Sequence, residues 1–143
     1  MRSIAIALLL GTLGFAACSD NDNLVVTSGA PNRLFTLQTV NGAAVPAVVF
    51  DSANPPLRLD ALSGAITIEP GNVFVDVTTF RQTLSGVVSI RTATCIGTYT
   101  AVGNVFEFVE AGAGPDCGLT FSGVLSGTAL TASVLGAPAV FSQ

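Results

Sequence analysis

Thr94–Glu110 reads TCIGTYTAVGNVFEFVE, and this stretch decides the class of fold. Thr94–Val102 runs into Gly103-Asn104, and Val105–Glu110 answers it on the far side. A Gly/Asn pair between two runs of β-branched and aromatic residues is a hairpin signal, because it supplies the positive-φ conformations that a tight turn needs. Phe106 and Phe108 alternate with Glu107, the period of a strand with one buried face.

The same grammar extends in both directions. Upstream, Leu34–Val40 ends at Asn41-Gly42 and Val45–Phe50 follows. Asp51–Pro56 (DSANPP) reads as a loop, since proline cannot donate to a central ladder. Leu57–Leu62 sets Leu57, Leu59 and Ala61 against Arg58 and Asp60, Ser63-Gly64 reads as a turn, and Ala65–Glu69 follows. After Pro70-Gly71-Asn72, Val73–Thr83 places Val73, Val75 and Val77 on one side and Phe74, Asp76, Thr78 and Phe80 on the other, which leaves its buried face open. Val87–Thr92 either continues the sheet or stands as a separate short strand. Downstream, Ala111–Asp116 (AGAGPD) is a loop, followed by Leu119–Leu125, Ala129–Leu135 and Ala139–Phe141. No window of ten residues after Cys18 shows helical apolar spacing free of Gly and Pro.

These runs predict an all-β domain over residues 34–143, an antiparallel meander of about eight to ten strands. A meander of that length removes its exposed edges by closing, so an up-and-down barrel is expected, with a β-sandwich as the alternative.

The N-terminus has a different character. Met1-Arg2-Ser3 is a short positive segment, Ile4–Leu10 is solidly apolar, and Ala16-Ala17 are small, the layout of a secretory signal over residues 1–17. Ile4–Ala17 is too short to span a bilayer as a helix, which takes roughly 20 residues. Phe15-Ala16-Ala17-Cys18 resembles a bacterial lipobox, with Phe15 where that pattern usually has Leu. The resemblance implies cleavage before Cys18 and acylation of its thiol, hence a lipid anchor in the cell envelope. By resemblance to lipoprotein sorting in Gram-negative bacteria, Ser19 after the anchor, in place of Asp, implies the outer membrane, the domain facing the periplasm or the cell surface. A signal cut after Ser19, giving a secreted or soluble periplasmic protein, is the alternative. Residues 18–33 read as a flexible tether, with Asp20 and Asp22 as solvating groups rather than metal ligands.

Composition removes whole classes of function. The chain has 143 residues, no His and no Trp, five basic residues that are all arginines, and nine acids. Loss of residues 1–17 removes Arg2 alone, leaving four arginines against nine acids, a net charge of −5. Nucleic-acid binding needs clustered basic residues, and none exist. A Ser-His-Asp triad is impossible without His, and Ser-x-x-Lys is impossible without Lys. Ala111–Pro115 lacks the Lys and the following helix of a phosphate loop. Neither CxxC spacing nor added His suggests a metal, and no cofactor is expected.

Cys95 and Cys117 remain once Cys18 is acylated, and in an oxidising envelope compartment they are expected to form a structural disulfide. Among the carboxylates, Asp51, Glu69, Glu110 and Asp116 fall near predicted turns and are expected to be solvated. Asp76 and Glu107 lie within strands. If inward, each needs a partner such as Arg81 or Arg91, although an outward, wet position is the expectation. Phe74, Phe80, Phe106, Phe108 and Phe121 are expected to fill the interior, with enclosure of an apolar ligand as the alternative.

FTLQTVNGAAVPAVVFD (35–51), GTYTAVGNVFEF (97–108) and FSGVLSGTALTAS (121–133) resemble small bacterial envelope lipoproteins with lipocalin-like or META-type β-domains. The resemblance covers roughly Leu34–Ser142 and implies a fold more than a function. The lipocalin Gly-x-Trp signature is absent, so a lipocalin-type ligand is not implied. The sequence therefore leads to a non-catalytic structural or interaction lipoprotein. A binder of a small apolar ligand inside the barrel is the alternative, and a carboxylate-dependent hydrolase the distant one.

Overall fold

The computed structural model describes residues 32–112 and 116–143, so the signal, Cys18 and nearly all of the tether lie outside the described residues. Ten strands follow one another: β1 (Arg33–Val40), β2 (Ala43–Ala44), β3 (Ala47–Ala53), β4 (Pro56–Glu69), β5 (Val73–Leu84), β6 (Val87–Val102), β7 (Val105–Ala111), β8 (Thr120–Ser126), β9 (Ala129–Val134) and β10 (Ala137–Ser142). Among the described residues there is no helix. Sequential strands pair antiparallel from β3 through β10, β10 pairs with β1, and β1 pairs with β4. That last ladder closes an eight-stranded up-and-down barrel, with β2 and β3 as additional strands. The meander and its closure are borne out, and the sandwich alternative falls.

Tight turns fix the registers. Asn41 and Gly42 both take positive φ, as do Ser85-Gly86 and Leu135-Gly136. This pattern matches the right-handed twist of the strands that each turn joins. Leu135 is an unfavoured residue for that conformation and gave no turn signal.

The interior is built from alternate side chains of every barrel strand. Phe35, Phe74, Phe80, Phe108 and Phe141 are among its fully buried members, with Ile66, Leu130 and Val40. Phe74 meets Phe108 edge-on at 4.9 Å between ring centroids, and Phe121 stacks on Phe108 at 4.9 Å. Such contacts add roughly 0.5–1.5 kcal/mol each beyond area burial. On β5 the Phe74, Asp76, Thr78 and Phe80 side faces inward, which resolves the face that the sequence leaves open.

Two expectations need correction, and one open alternative is resolved. Ser63-Gly64 is no turn: β4 runs unbroken through it, with a bulge between Ala61 and Ser63. Gly64 is small for packing, since a Cβ there would meet Leu37 Cδ2 and Thr78 Oγ1 at 3.1 Å. Asp51–Pro56 is not wholly loop, because Asp51–Ala53 belong to β3 and Pro56 opens β4. Among the described residues β3 pairs only with β4, so proline beside it interrupts no second ladder there. Val87–Thr92 is continuous with Thr94–Val102 in a single sixteen-residue strand.

Length differences between strands create the one departure from a plain barrel. β4 gives Ala65–Ile68 to β1 and Pro56–Ala61 to β3. β6 pairs with β5 from Val87 to Thr98, but with β7 only from Ile96 onward. The far parts of β4, β5 and β6, with β3 alongside, therefore run past the end of the barrel wall as a four-stranded arm.

Candidate functional site

The barrel end beneath the arm gathers Asp76, Arg91, Glu110 and Asp116. β5 presents Asp76 inward, β6 presents Arg91 and Cys95, and β7 presents Glu110. The β7–β8 connection brings Asp116 and Cys117 across to them. Cys95 and Cys117 are disulfide-bonded with 5.5 Å between their Cα atoms, within the range such bonds require. Arg91 Nη1 lies 2.6 Å from Asp116 Oδ2, a second tie between that connection and β6. Glu110 is buried, and its Oε2 accepts a hydrogen bond from the Leu119 amide at 3.0 Å.

Several carboxylates thus depart from expectation. Asp76 faces the interior rather than water, where its Oδ1 accepts a hydrogen bond from Thr78 Oγ1 at 2.9 Å. Burial pushes its carboxyl up to about 6, opposed by the Thr78 hydroxyl and reinforced by the Glu110 charge. Glu110 and Asp116 are held by specific partners rather than solvated at turns. Glu107 points outward, as the alternation predicts. Arg81 and Arg91 pair with neither Asp76 nor Glu107. Arg81 takes Asp60, through Nε at 3.1 Å and Nη2 at 2.9 Å to Oδ2, while Arg58 Nε reaches Oδ1 at 2.9 Å.

Asp60 is the carboxylate whose surroundings the sequence does not disclose. It lies on the outer face, as the β4 alternation requires, yet it is buried beneath the two guanidinium groups. Burial pushes its carboxyl up, but the hydrogen bonds from Arg81 and Arg58, with their charges, outweigh that and hold it below the ordinary range. The cross-strand register Asp60↔Arg81 is the feature that assembles the cluster. It becomes legible only once the β4–β5 bulge is known.

Two spaces border this region. The inner one, among Asp76, Thr78, Glu110, Asp116 and Phe121, has a cavity volume of about 20 Å³. That is room for about one water molecule, with polar groups to hold it. The outer one is a half-open groove of about 220 Å³ under the arm, lined by Val49, Phe50, Leu57, Leu59 and Leu135 with Gln82 and Arg91. Among the described residues, the buried Arg91 Nε has no hydrogen-bond partner. Its guanidinium carbon stands 5.8 Å from the Phe80 ring centroid, so the aromatic face supplies part of what a lone pair would. Among the described residues, no group of three or more Cys, Asp or Glu is placed to hold a metal ion.

The arm itself is apolar and wet. Leu84 is 44% exposed, Val87 71%, Val88 59% and Ile90 66%, and all four crowd about one hairpin tip. Leu84 and Val87 share one face of the hairpin and Val88 and Ile90 the other; singly exposed apolar residues are ordinary, but a cluster of them at one strand end is a candidate contact surface.

Comparison with known proteins is silent: no family model, no curated protein and no solved structure matches the chain.

Proposed function

We propose that the chain is a lipid-anchored envelope protein acting as a non-catalytic interaction module, which meets its partner through the projecting arm. The observation that carries this reading is the set of exposed apolar side chains at the β5–β6 hairpin end, Leu84, Val87, Val88 and Ile90. A lipobox-like Phe15-Ala16-Ala17-Cys18 supports the anchor. Dual or multiple acylation holds a protein to a membrane firmly, at about 0.8 kcal/mol per buried CH2.

The interior supports interaction over the rival roles. Phenylalanine rings fill the barrel where an apolar ligand would otherwise sit. Asp76 and Glu110 do converge, as a hydrolase would want, but on a space of about 20 Å³. Paired glycosidase carboxylates flank a sugar ring, which is far larger.

Two measurements test the reading. Mass spectrometry of the protein purified from membranes is expected to show an acylated N-terminal Cys18, and Cys18→Ala to move the protein to the soluble fraction. Val88→Lys with Ile90→Lys is expected to leave anchoring and thermal stability unchanged while shifting the native-gel mass of the solubilised protein downward. An unmodified Cys18 sinks the anchor, and an unchanged native mass sinks the arm as the contact.

A further inference from the structure

We infer that the arm pairs with a second copy of this chain, through antiparallel contact of one β6 edge with the other across a two-fold axis. This rests on the arm being the contact surface, and it names the occupant.

The edge is defined by where its neighbours stop. β5 covers one side of β6 from Val87 to Thr98, whereas β7 covers the other side only from Ile96. Near the junction, Cys117 lies against β6 through its disulfide to Cys95 and a 3.7 Å approach of its Sγ to the Thr94 carbonyl. Among the described residues, the open edge is therefore Val87–Ala93 (VVSIRTA). Exposed edges are ordinarily guarded by charge, proline or bulges. The opposite edge of the arm has such guards: β3 carries Asp51 and a bulge between Val48 and Phe50, and ends at Asn54-Pro55. β6 has none of them on its outer face, where Val88, Ile90 and Thr92 form the row.

Charge selects the partner. From Gln82 to Cys95 the only ionisable side chain other than cysteine is Arg91, and Asp116 of the same chain already meets it. A partner edge thus finds no unpaired charge to read and must itself be neutral. A second copy presents that match by construction, since a two-fold interface sets one patch against itself. Pairing of the whole open stretch puts its midpoint, Ile90, on the axis. Val88 then faces Thr92 of the second copy, and Arg91 faces Ser89, with no like charges opposed. The pairing consumes the edge in both copies and so stops at two.

The test is cysteine cross-linking of the full-length chain in its membrane, with sedimentation of the solubilised protein. Ile90→Cys is expected to give a covalent dimer under mild oxidation, and Val102→Cys, 78% exposed at the other end of β6, to give none. Ile90→Lys is expected to weaken self-association at least tenfold with no loss of thermal stability. A parent chain that sediments as a monomer, with Ile90→Cys uncross-linked, overturns the dimer. If Ile90→Lys then still lowers the native mass, the arm contacts a different protein and the interaction reading survives. If it instead weakens binding to phosphatidylethanolamine–phosphatidylglycerol vesicles, the arm is a membrane contact. If it changes nothing, both readings fall.

Discussion

Phe74 occupies the space that any side chain at Gly97 would need. The two are cross-strand partners on β5 and β6, and a Cβ at Gly97 would stand 2.5 Å from the Phe74 ring and closer still to the Val109 carbonyl oxygen. The glycine thus lets an aromatic ring lie flat over the β6 backbone while β7 approaches from the other side.

Gly97→Ala is accordingly expected to destabilise strongly, by about 3 kcal/mol, the upper end of ordinary overpacking, because backbone as well as a ring must move. Gly123→Ala is the contrast. Its Cβ would press on side-chain ends, Leu130 Cδ1 at 3.0 Å and Phe108 Cε2 at 3.1 Å, with the Thr131 carbonyl oxygen at an ordinary 3.5 Å. About 1 kcal/mol is expected there. Urea denaturation of both variants checks the order, and equal losses would refute the backbone argument.

Asp76 makes stability fall as pH rises. Its folded value of about 6 lies above its ordinary 3.8, so between those values the native state holds a proton that the unfolded chain has released. Stability is expected to decline across that window, by up to roughly 3 kcal/mol at 1.36 kcal/mol per pH unit. Asp76→Asn should flatten the profile and keep the Thr78 hydrogen bond. Thermal melts from pH 4 to 8 decide it.

Asp60 acts in the opposite sense. Held below the ordinary carboxylate range, it contributes stability that is present above about pH 4 and disappears in stronger acid. Arg81→Met is expected to cost about 2 kcal/mol at neutral pH, since it leaves a buried carboxylate with Arg58 alone. Adding Asp60→Leu should restore much of that. A double-mutant cycle with no coupling would show that the arginines merely lie nearby.

The Cys95–Cys117 bridge closes a 22-residue separation, and its loss by Cys95→Ala with Cys117→Ala is expected to cost roughly 3 kcal/mol in the chain-entropy model. Arg91→Met in that background should cost more than in the parent, because the ion pair to Asp116 is then the remaining side-chain tie between that connection and β6. Additive losses measured by denaturation would contradict this.

Strand identity was legible because alternation and Asn-Gly or Ser-Gly turns are local signals. Gly64 misled the reading because a glycine that admits Leu37 looks, in sequence, the same as one that turns the chain. The inward face of β5 was unreadable since valine and phenylalanine both suit burial; the barrel took the rings. Glu110 was taken for a solvated turn residue because its partner, the Leu119 amide, is brought to it by a connection whose path no pattern encodes. The arm was hidden for a related reason. Alternation reports which way a side chain points and says nothing about where the neighbouring strand ends.

Closure of the wall also sets a schedule for folding. β1 needs β4 on one side and β10 on the other, with Thr36 opposite Ser142. A chain emerging from its N-terminus can assemble the hairpins from β3 to β9 as they appear, but its earliest strand waits for its last. Until β10 arrives, the nascent protein carries two raw flanks, so maturation has a vulnerable interval that ends only when Ala137–Ser142 is delivered.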